Sequence, residues 1–410
     1  MLADVPFLLA VAGAVIIALT KRSRRVYPGI RSTALFLIVC TLHILFVIFG
    51  QVSGADYLRG LVPFVFVAFG WVTTKVVKEG DIPQLMTAMV VIGLVFAIQG
   101  LLELPQWLAG EIWRTTLNNP NQGIPFPLVA FHICASRVCL GTRSTRSKTW
   151  YAVACGITLL SILCTGTRSL LVGAIVPLPM MIVFTKHRTR LAVRLVSAIV
   201  ITVAVVLITI PTVTLDRAFR IDRKNDTLRF TSGDTGISTR TEENDVAIAY
   251  FLSSPVVGTG LGYQFDTTGM YYQVERVGYV HNSFLYLLMD FGVLGILYFV
   301  PAAIVIKGLL KRFKRGPNLD EAAAAALVNS ICALIMFAIG FVMVRVIQFN
   351  VLLFSIIALG DVLAGTRRGM YGSRIVDMPR TRARFMLHAP AITERILAKS
   401  KSRTTLRRAT

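Results

Sequence analysis

The sequence predicts an all-α, polytopic integral membrane protein of about 11–12 transmembrane helices, interrupted by one large outer loop containing short helices. Three observations predict it. The chain of 410 residues is 55% hydrophobic and only 16% charged, with a mean hydropathy of +0.67, and that much apolar surface cannot be hidden in one soluble core. Apolar stretches of roughly 17–25 residues, the length that crosses the hydrocarbon layer as helix, recur along it. The basic residues gather in alternate connections between those stretches, as the charge asymmetry of membrane-protein loops requires.

In order, the expected spans are 5–20, 32–50, 58–77, 84–104, 123–140, 150–165, 169–185, 193–211, 282–306, 322–344 and 349–365. Lys21, Arg22, Arg24, Arg25 and Arg31 accompany the end of the first, and Lys75 and Lys78 that of the third. Arg137, Arg143, Arg146 and Lys148 mark the end of the fifth, and Lys186, Arg188, Arg190 and Arg194 that of the seventh. Lys307, Lys311, Arg312, Lys314 and Arg315 mark the end of the ninth. These connections and the tail after residue 365 are expected on the cytoplasmic side, which puts the N-terminus and the long 212–280 segment outside. The organisation is then eight spans over 1–211, an outer loop over 212–280, three spans over 281–365 and a basic cytoplasmic tail over 366–410. The first span lacks an Ala-x-Ala cleavage site and reads as an anchor helix, not a removed signal peptide.

The net charge of +22 raises the question of nucleic-acid binding, and the placement of the charge excludes it, because the cations line one face of a membrane. The tail carries twelve Lys or Arg against Asp377 and Glu394 and is expected on the anionic inner leaflet, at about 1 kcal/mol per basic side chain. The six cysteines, Cys40, Cys134, Cys139, Cys155, Cys164 and Cys332, lie within or at the ends of spans and read as reduced packing residues. No Cys-x-x-Cys pair or His/Cys cluster suggests a metal.

The 212–280 loop shifts to Asp, Arg, Thr, Ser, Gly and Tyr. Within it Arg240 to Ser253 has helical spacing, with Ser238 or Thr239 as a cap and Glu242 and Glu243 suited to the positive end of the dipole. Pro255 stops that helix, and Gly258-Thr-Gly-Leu-Gly262 forms a turn. With no strand before it and no helix of Rossmann type after it, this glycine run is not a nucleotide loop.

Where the loop re-enters the membrane stands Val280-His281-Asn282-Ser283-Phe284-Leu285, followed by Asp290, Phe291, Gly292 and Gly295. A polar pair at a membrane face costs desolvation energy unless it has a partner or a task. His-Asn-x-x-Leu, an acidic residue nine positions after the His, and Gly-x-x-Gly resemble the signature of the O-antigen ligase and polysaccharide polymerase superfamily of bacterial envelope membrane proteins. Ser254-Pro-Val-Val-Gly-Thr-Gly-Leu-Gly262 resembles the Pro-x-x-Gly-x-Gly-x-Gly stretch that precedes the histidine in the same superfamily. Thr165-Gly-Thr-Arg168-Ser169 is similar to its small-x-Ser/Thr-Arg motif, and Asn118-Asn-Pro-Asn121 to its Asn-Pro-Asn segment. The resemblance covers residues 115–300.

It implies a glycosyltransferase of the bacterial inner membrane, with its active site facing the periplasm. The enzyme would move a glycan from a polyprenyl (undecaprenyl) diphosphate carrier to an acceptor hydroxyl, foremost that of lipid A-core in lipopolysaccharide biosynthesis. His281 would be the base, Arg168 and Arg240 the diphosphate-binding residues, and Asn121 and Asn282 substrate-binding residues, with no metal and no cofactor. The chemistry suits the residue types: a diphosphate leaving group needs cations as negative charge develops, and an attacking hydroxyl needs a proton acceptor. Simpler roles stand beside these. Arg168 could snorkel at the interface, Arg240 could pair with Glu243 or Asp245, and His281 could be a helix-start residue bonded to a backbone carbonyl. Asp290 lies on a different helix face from His281 and is not expected to orient it. Arg59, Arg345 and Gln348 read as snorkelling residues.

A polysaccharide polymerase is the nearest alternative, then a protein O-oligosaccharyltransferase. The non-enzyme alternative, a secondary transporter or flippase, calls for charges at mid-membrane and helices broken in corresponding halves, and the spans offer few such charges.

Overall fold

A computed structural model of the chain describes residues 27–109, 125–141, 145–165, 167–185, 188–189, 191–193, 196, 235–268, 274–278, 280–315 and 320–365. The chain divides into units 1–364 and 365–410, and only Gly365 of the second is described. The expected spans 5–20 and 193–211, the loop segment 212–234 and the basic tail lie outside the described residues, apart from Val193 and Val196.

Seven described helices are long and apolar enough to cross a membrane, and two shorter apolar helices accompany them. The long ones are α1 (Pro28–Ile48), α2 (Gly54–Val76), α3 (Glu79–Gln106), α5 (Thr145–Cys164), α8 (Ser283–Lys314), α9 (Glu321–Ile339) and α10 (Ile347–Gly365). The short ones are α4 (Pro125–Leu140) and α6 (Ser169–Val183). The 212–280 loop supplies α7 (Thr235–Ser253) and an antiparallel pair, β1 (Phe265–Thr268) and β2 (Val274–Val277), with Phe265 opposite Val277. The protein is an all-α polytopic membrane protein, with this one hairpin as its β structure among the described residues.

Helices that are apolar all round are built for burial in protein or lipid, and burial sorts them. The apolar windows of α9 and α10 are 78% and 72% buried, whereas those of α1, α3 and α5 are 33%, 33% and 28% buried, so the first two form the centre and the others the rim. On α3, Val91, Val95, Ile98 and Leu102 recur at helical spacing and are exposed, an outward apolar stripe that only lipid can cover. In α9 the run Ala322–Ala326 is buried throughout, and methyl side chains there let neighbouring backbones approach closely.

The described helices alternate in direction, and ion pairs tie one end of the bundle. Arg137 at the end of α4 donates to Asp320 at the start of α9 at 2.8 Å, and Arg312 near the end of α8 donates to Glu79 at the start of α3 at 2.9 Å. The backbone N–H of Ile30 donates to Asp361 at 2.8 Å, joining the start of α1 to the end of α10. α7 sits at the opposite end, beside the start of α8.

Three boundaries differ from expectation. The expected 322–344 span stops at Ile339, with Gly340 as its C-cap, and Gly340 lies against Ser169, whose Cβ is 2.6 Å from where a Gly340 Cβ would be. The expected 282–306 span runs on to Lys314. The loop helix begins at Thr235, five residues before Arg240, so Ser238 and Thr239 lie inside it and the glutamates are not in its first turn. The hairpin has no counterpart in the sequence expectation.

Candidate functional site

α8 enters the bundle at the end that carries the loop, and its first residues are fixed from three sides. Asn282 is the N-cap: its Oδ1 accepts from the N–H groups of Phe284 at 2.9 Å and Leu285 at 3.3 Å. Such a cap contributes about 1 kcal/mol. Capping therefore occupies the oxygen of this expected substrate ligand, and its Nδ2 is the group that could meet a glycan. Ser283 is buried, and its hydroxyl donates to the Phe341 carbonyl at 2.6 Å in the turn between α9 and α10. In the same turn Arg345 donates to the Gly278 carbonyl at 2.8 Å and lies over the Tyr286 ring at 5.7 Å. Arg345 thus turns inward and braces the chain just before His281, where the sequence reads as a snorkelling arginine.

His281 is 37% exposed, and its ring meets a carboxylate. Glu243 on α7, itself 6% exposed, places Oε2 at 2.7 Å and Oε1 at 3.0 Å from Nδ1. Its Oε2 also accepts from the backbone N–H of His281 at 3.0 Å. An ionised carboxylate only accepts, so Nδ1 carries the proton and, in the neutral ring, Nε2 carries the lone pair. The ring is thereby arranged as a proton acceptor on its Nε2 side. The partner expected for a purely structural histidine was a carbonyl; Nδ1 meets a buried acid.

Nothing in the sequence points to Glu243, because 38 residues separate it from His281 and Glu242, Asn244 and Asp245 around it are equally polar. Asp290, the acidic residue of the histidine motif, is buried lower in α8. Its backbone carbonyl accepts from Gly260 N–H at 3.1 Å, and the neighbouring Met289 carbonyl accepts from Thr259 N–H at 2.9 Å.

The glycines explain themselves as close approaches. Gly258, Gly260 and Gly262 have φ of 75°, 98° and 87°, a region that residues with a Cβ rarely adopt. A Cβ on Gly258 would lie 2.3 Å from the Asp290 backbone, and one on Gly262 would lie 2.4 Å from the Asp56 carbonyl. The run is packed between α8 and α2. His43, where α1 breaks, accepts the Leu261 N–H on its Nδ1 at 3.1 Å and stacks on Phe291 at 4.6 Å. Gln264 reaches Asp56 at 2.8 Å. The loop is therefore seated on three membrane helices.

Of the expected cations, the backbones are described and the side chains lie outside the described residues. Arg168 directly precedes Ser169 of α6 and is the first residue of the α-helical segment Arg168–Ile175, whose N-cap is Thr167. Its neighbour Ser169 packs on Gly340, next to Phe341, whose carbonyl holds Ser283. Arg240 lies three residues before Glu243 in α7, and residues at that spacing share a helix face, with Cβ atoms roughly 5–6 Å apart. The elements bearing Arg168, Arg240 and His281 thus converge at one end of the bundle. Asn121 lies outside the described residues.

The model of a family described as O-antigen ligase matches residues 153–300. That stretch contains Arg168, Arg240, the three-glycine turn and the His281 motif, and the resemblance carried by those residues is borne out over it. Asn121 lies outside it. No curated protein matches the chain.

Proposed function

We propose, from the O-antigen ligase likeness of residues 153–300, that the chain transfers a glycan from a polyprenyl-diphosphate carrier to an acceptor hydroxyl, foremost that of lipid A-core, at the periplasmic face of a bacterial inner membrane. The observation that carries the reading is the His281 ring held by Glu243 at 2.7 Å, beside the elements that bear Arg168 and Arg240.

In the proposed reaction the acceptor oxygen attacks the anomeric carbon of the donor sugar and forms the new glycosidic bond. The bond from that carbon to the diphosphate oxygen breaks, with inversion. His281 Nε2 takes the acceptor's proton as the oxygen loses it. The polyprenyl diphosphate leaves with the bonding electron pair, and the guanidinium groups of Arg168 and Arg240 meet the charge that develops on its oxygens.

The test is transfer by the purified chain in detergent, with a lipid-diphosphate glycan as donor and three acceptors offered separately: lipid A-core, a second lipid-linked repeat unit, and a protein bearing serine hydroxyls. Transfer to lipid A-core is the expected result. Transfer to the repeat unit alone makes the chain a polymerase, and transfer to none overturns the reading. The face is tested separately, by impermeant thiol labelling from outside intact cells. A cysteine at Thr235 is expected to react and one at Lys314 is not; the reverse pattern would remove the site from the periplasm.

A further inference from the structure

We propose that Glu243 is the positioning residue of the transfer reaction, and that α7 assembles the base and the diphosphate cation as one unit. The proposal rests on the reading of His281 as the base. A buried carboxylate needs hydrogen-bond donors to offset the loss of water. Glu243, 4% exposed as a residue, takes two from a single partner: the Nδ1–H of His281 and the backbone N–H of the same residue. These bonds fix the position of the chain at His281, the plane of its ring and the tautomer that presents Nε2 as acceptor.

A second consequence is electrostatic. When Nε2 takes the proton, positive charge appears on the ring, and an oxygen of Glu243 is already 2.7 Å from Nδ1 to meet it. The carboxylate need not move, so no reorganisation is needed as the charge develops. The acid and the base also sit on different elements. Glu243 belongs to the loop helix and His281 to the entrance of α8. Arg240 is one turn before Glu243 on the same helix, so the seating of α7 that orients His281 also sets the backbone from which Arg240 reaches the donor. Base and cation are positioned by one docking event, not two.

The experiment is steady-state transfer by the full-length purified protein carrying Glu243→Gln, Glu243→Asp or Glu243→Ala, with donor binding and thermal unfolding measured on each. Glu243→Gln keeps the volume and an acceptor oxygen but removes the charge. It is expected to lower kcat by about 10²–10⁴-fold, the range for losing the acid that orients a catalytic histidine, with the donor KM within about two-fold of wild type. Glu243→Asp is expected to recover part of that loss, and Glu243→Ala to add loosening of the loop. In a His281→Ala background, Glu243→Gln is expected to cost nothing further, because a residue acting through His281 has no target left. Wild-type kcat in Glu243→Gln while His281→Ala is inactive would overturn the proposal and leave the base intact. The same holds if Glu243→Gln causes its full loss again on top of His281→Ala. Full activity in His281→Ala would overturn the reading on which the proposal rests.

Discussion

His281→Ala is expected to lower the rate of glycan transfer by about 10²–10⁴-fold, the usual contribution of a positioned general base, while donor binding survives. The two effects separate because different groups serve them. In the proposed reaction the diphosphate is bound by Arg168, just before α6, and Arg240 of α7, whereas His281 acts on the acceptor's proton, which moves only in the transition state. The loss therefore falls on kcat, not on donor affinity. Chelators are expected to leave the rate unchanged. Full activity in His281→Ala, or loss on chelation with restoration by a divalent metal, removes His281 from the chemistry.

The parts of this site that were legible in the sequence are those written within one stretch of chain. His281, Asn282, Asp290 and the two glycines stand within fifteen positions of one another, and the helix they open is read directly from its apolar run. What lies across the fold was not legible. Glu243 comes to His281 from 38 residues away, and in its own segment it is one of several polar residues on a helix. The five-residue error in the start of α7 has a local cause: Thr235-Gly-Ile-Ser-Thr239 has the composition of a turn and a cap. Gly and the β-branched and hydroxyl residues are weak helix formers, and context overrode them. The hairpin is four residues per strand, too short for alternation to stand out from a polar loop. Arg345 misled for a related reason. An arginine between two apolar spans fits the pattern of snorkelling, and only the folded turn brings the Gly278 carbonyl to it at 2.8 Å. The spans that fall on described residues were legible in their places, since their length is set by the thickness of the bilayer, but not in all their ends, the ninth running to Lys314 and the tenth stopping at Ile339.

Arg168→Ala and Arg240→Ala are each expected to reduce transfer by about 10²–10³-fold or more, the cost of removing one preorganised donor to developing negative charge, with the proteins remaining in the membrane at wild-type levels. Lysine at either position restores only part of the rate. A guanidinium presents paired N–H groups to two phosphate oxygens at once, whereas an ammonium is a single point charge. The position of Arg240 makes this sharper than the sequence suggests. Were it at the start of α7, the unpaired amides of the helix N-terminus would share the work of binding the anion. α7 begins at Thr235, so its free amides belong to the turn before, and at Arg240 the backbone N–H groups are committed to the helix. The guanidinium must then supply the contact alone, and the lysine variant is expected to be poorer at 240 than at 168, where the arginine follows directly on the N-cap Thr167. The measurement is donor KM and kcat for the four single variants in the purified transfer assay. If both alanine variants keep wild-type transfer, the two arginines are interfacial side chains, and the diphosphate is held elsewhere.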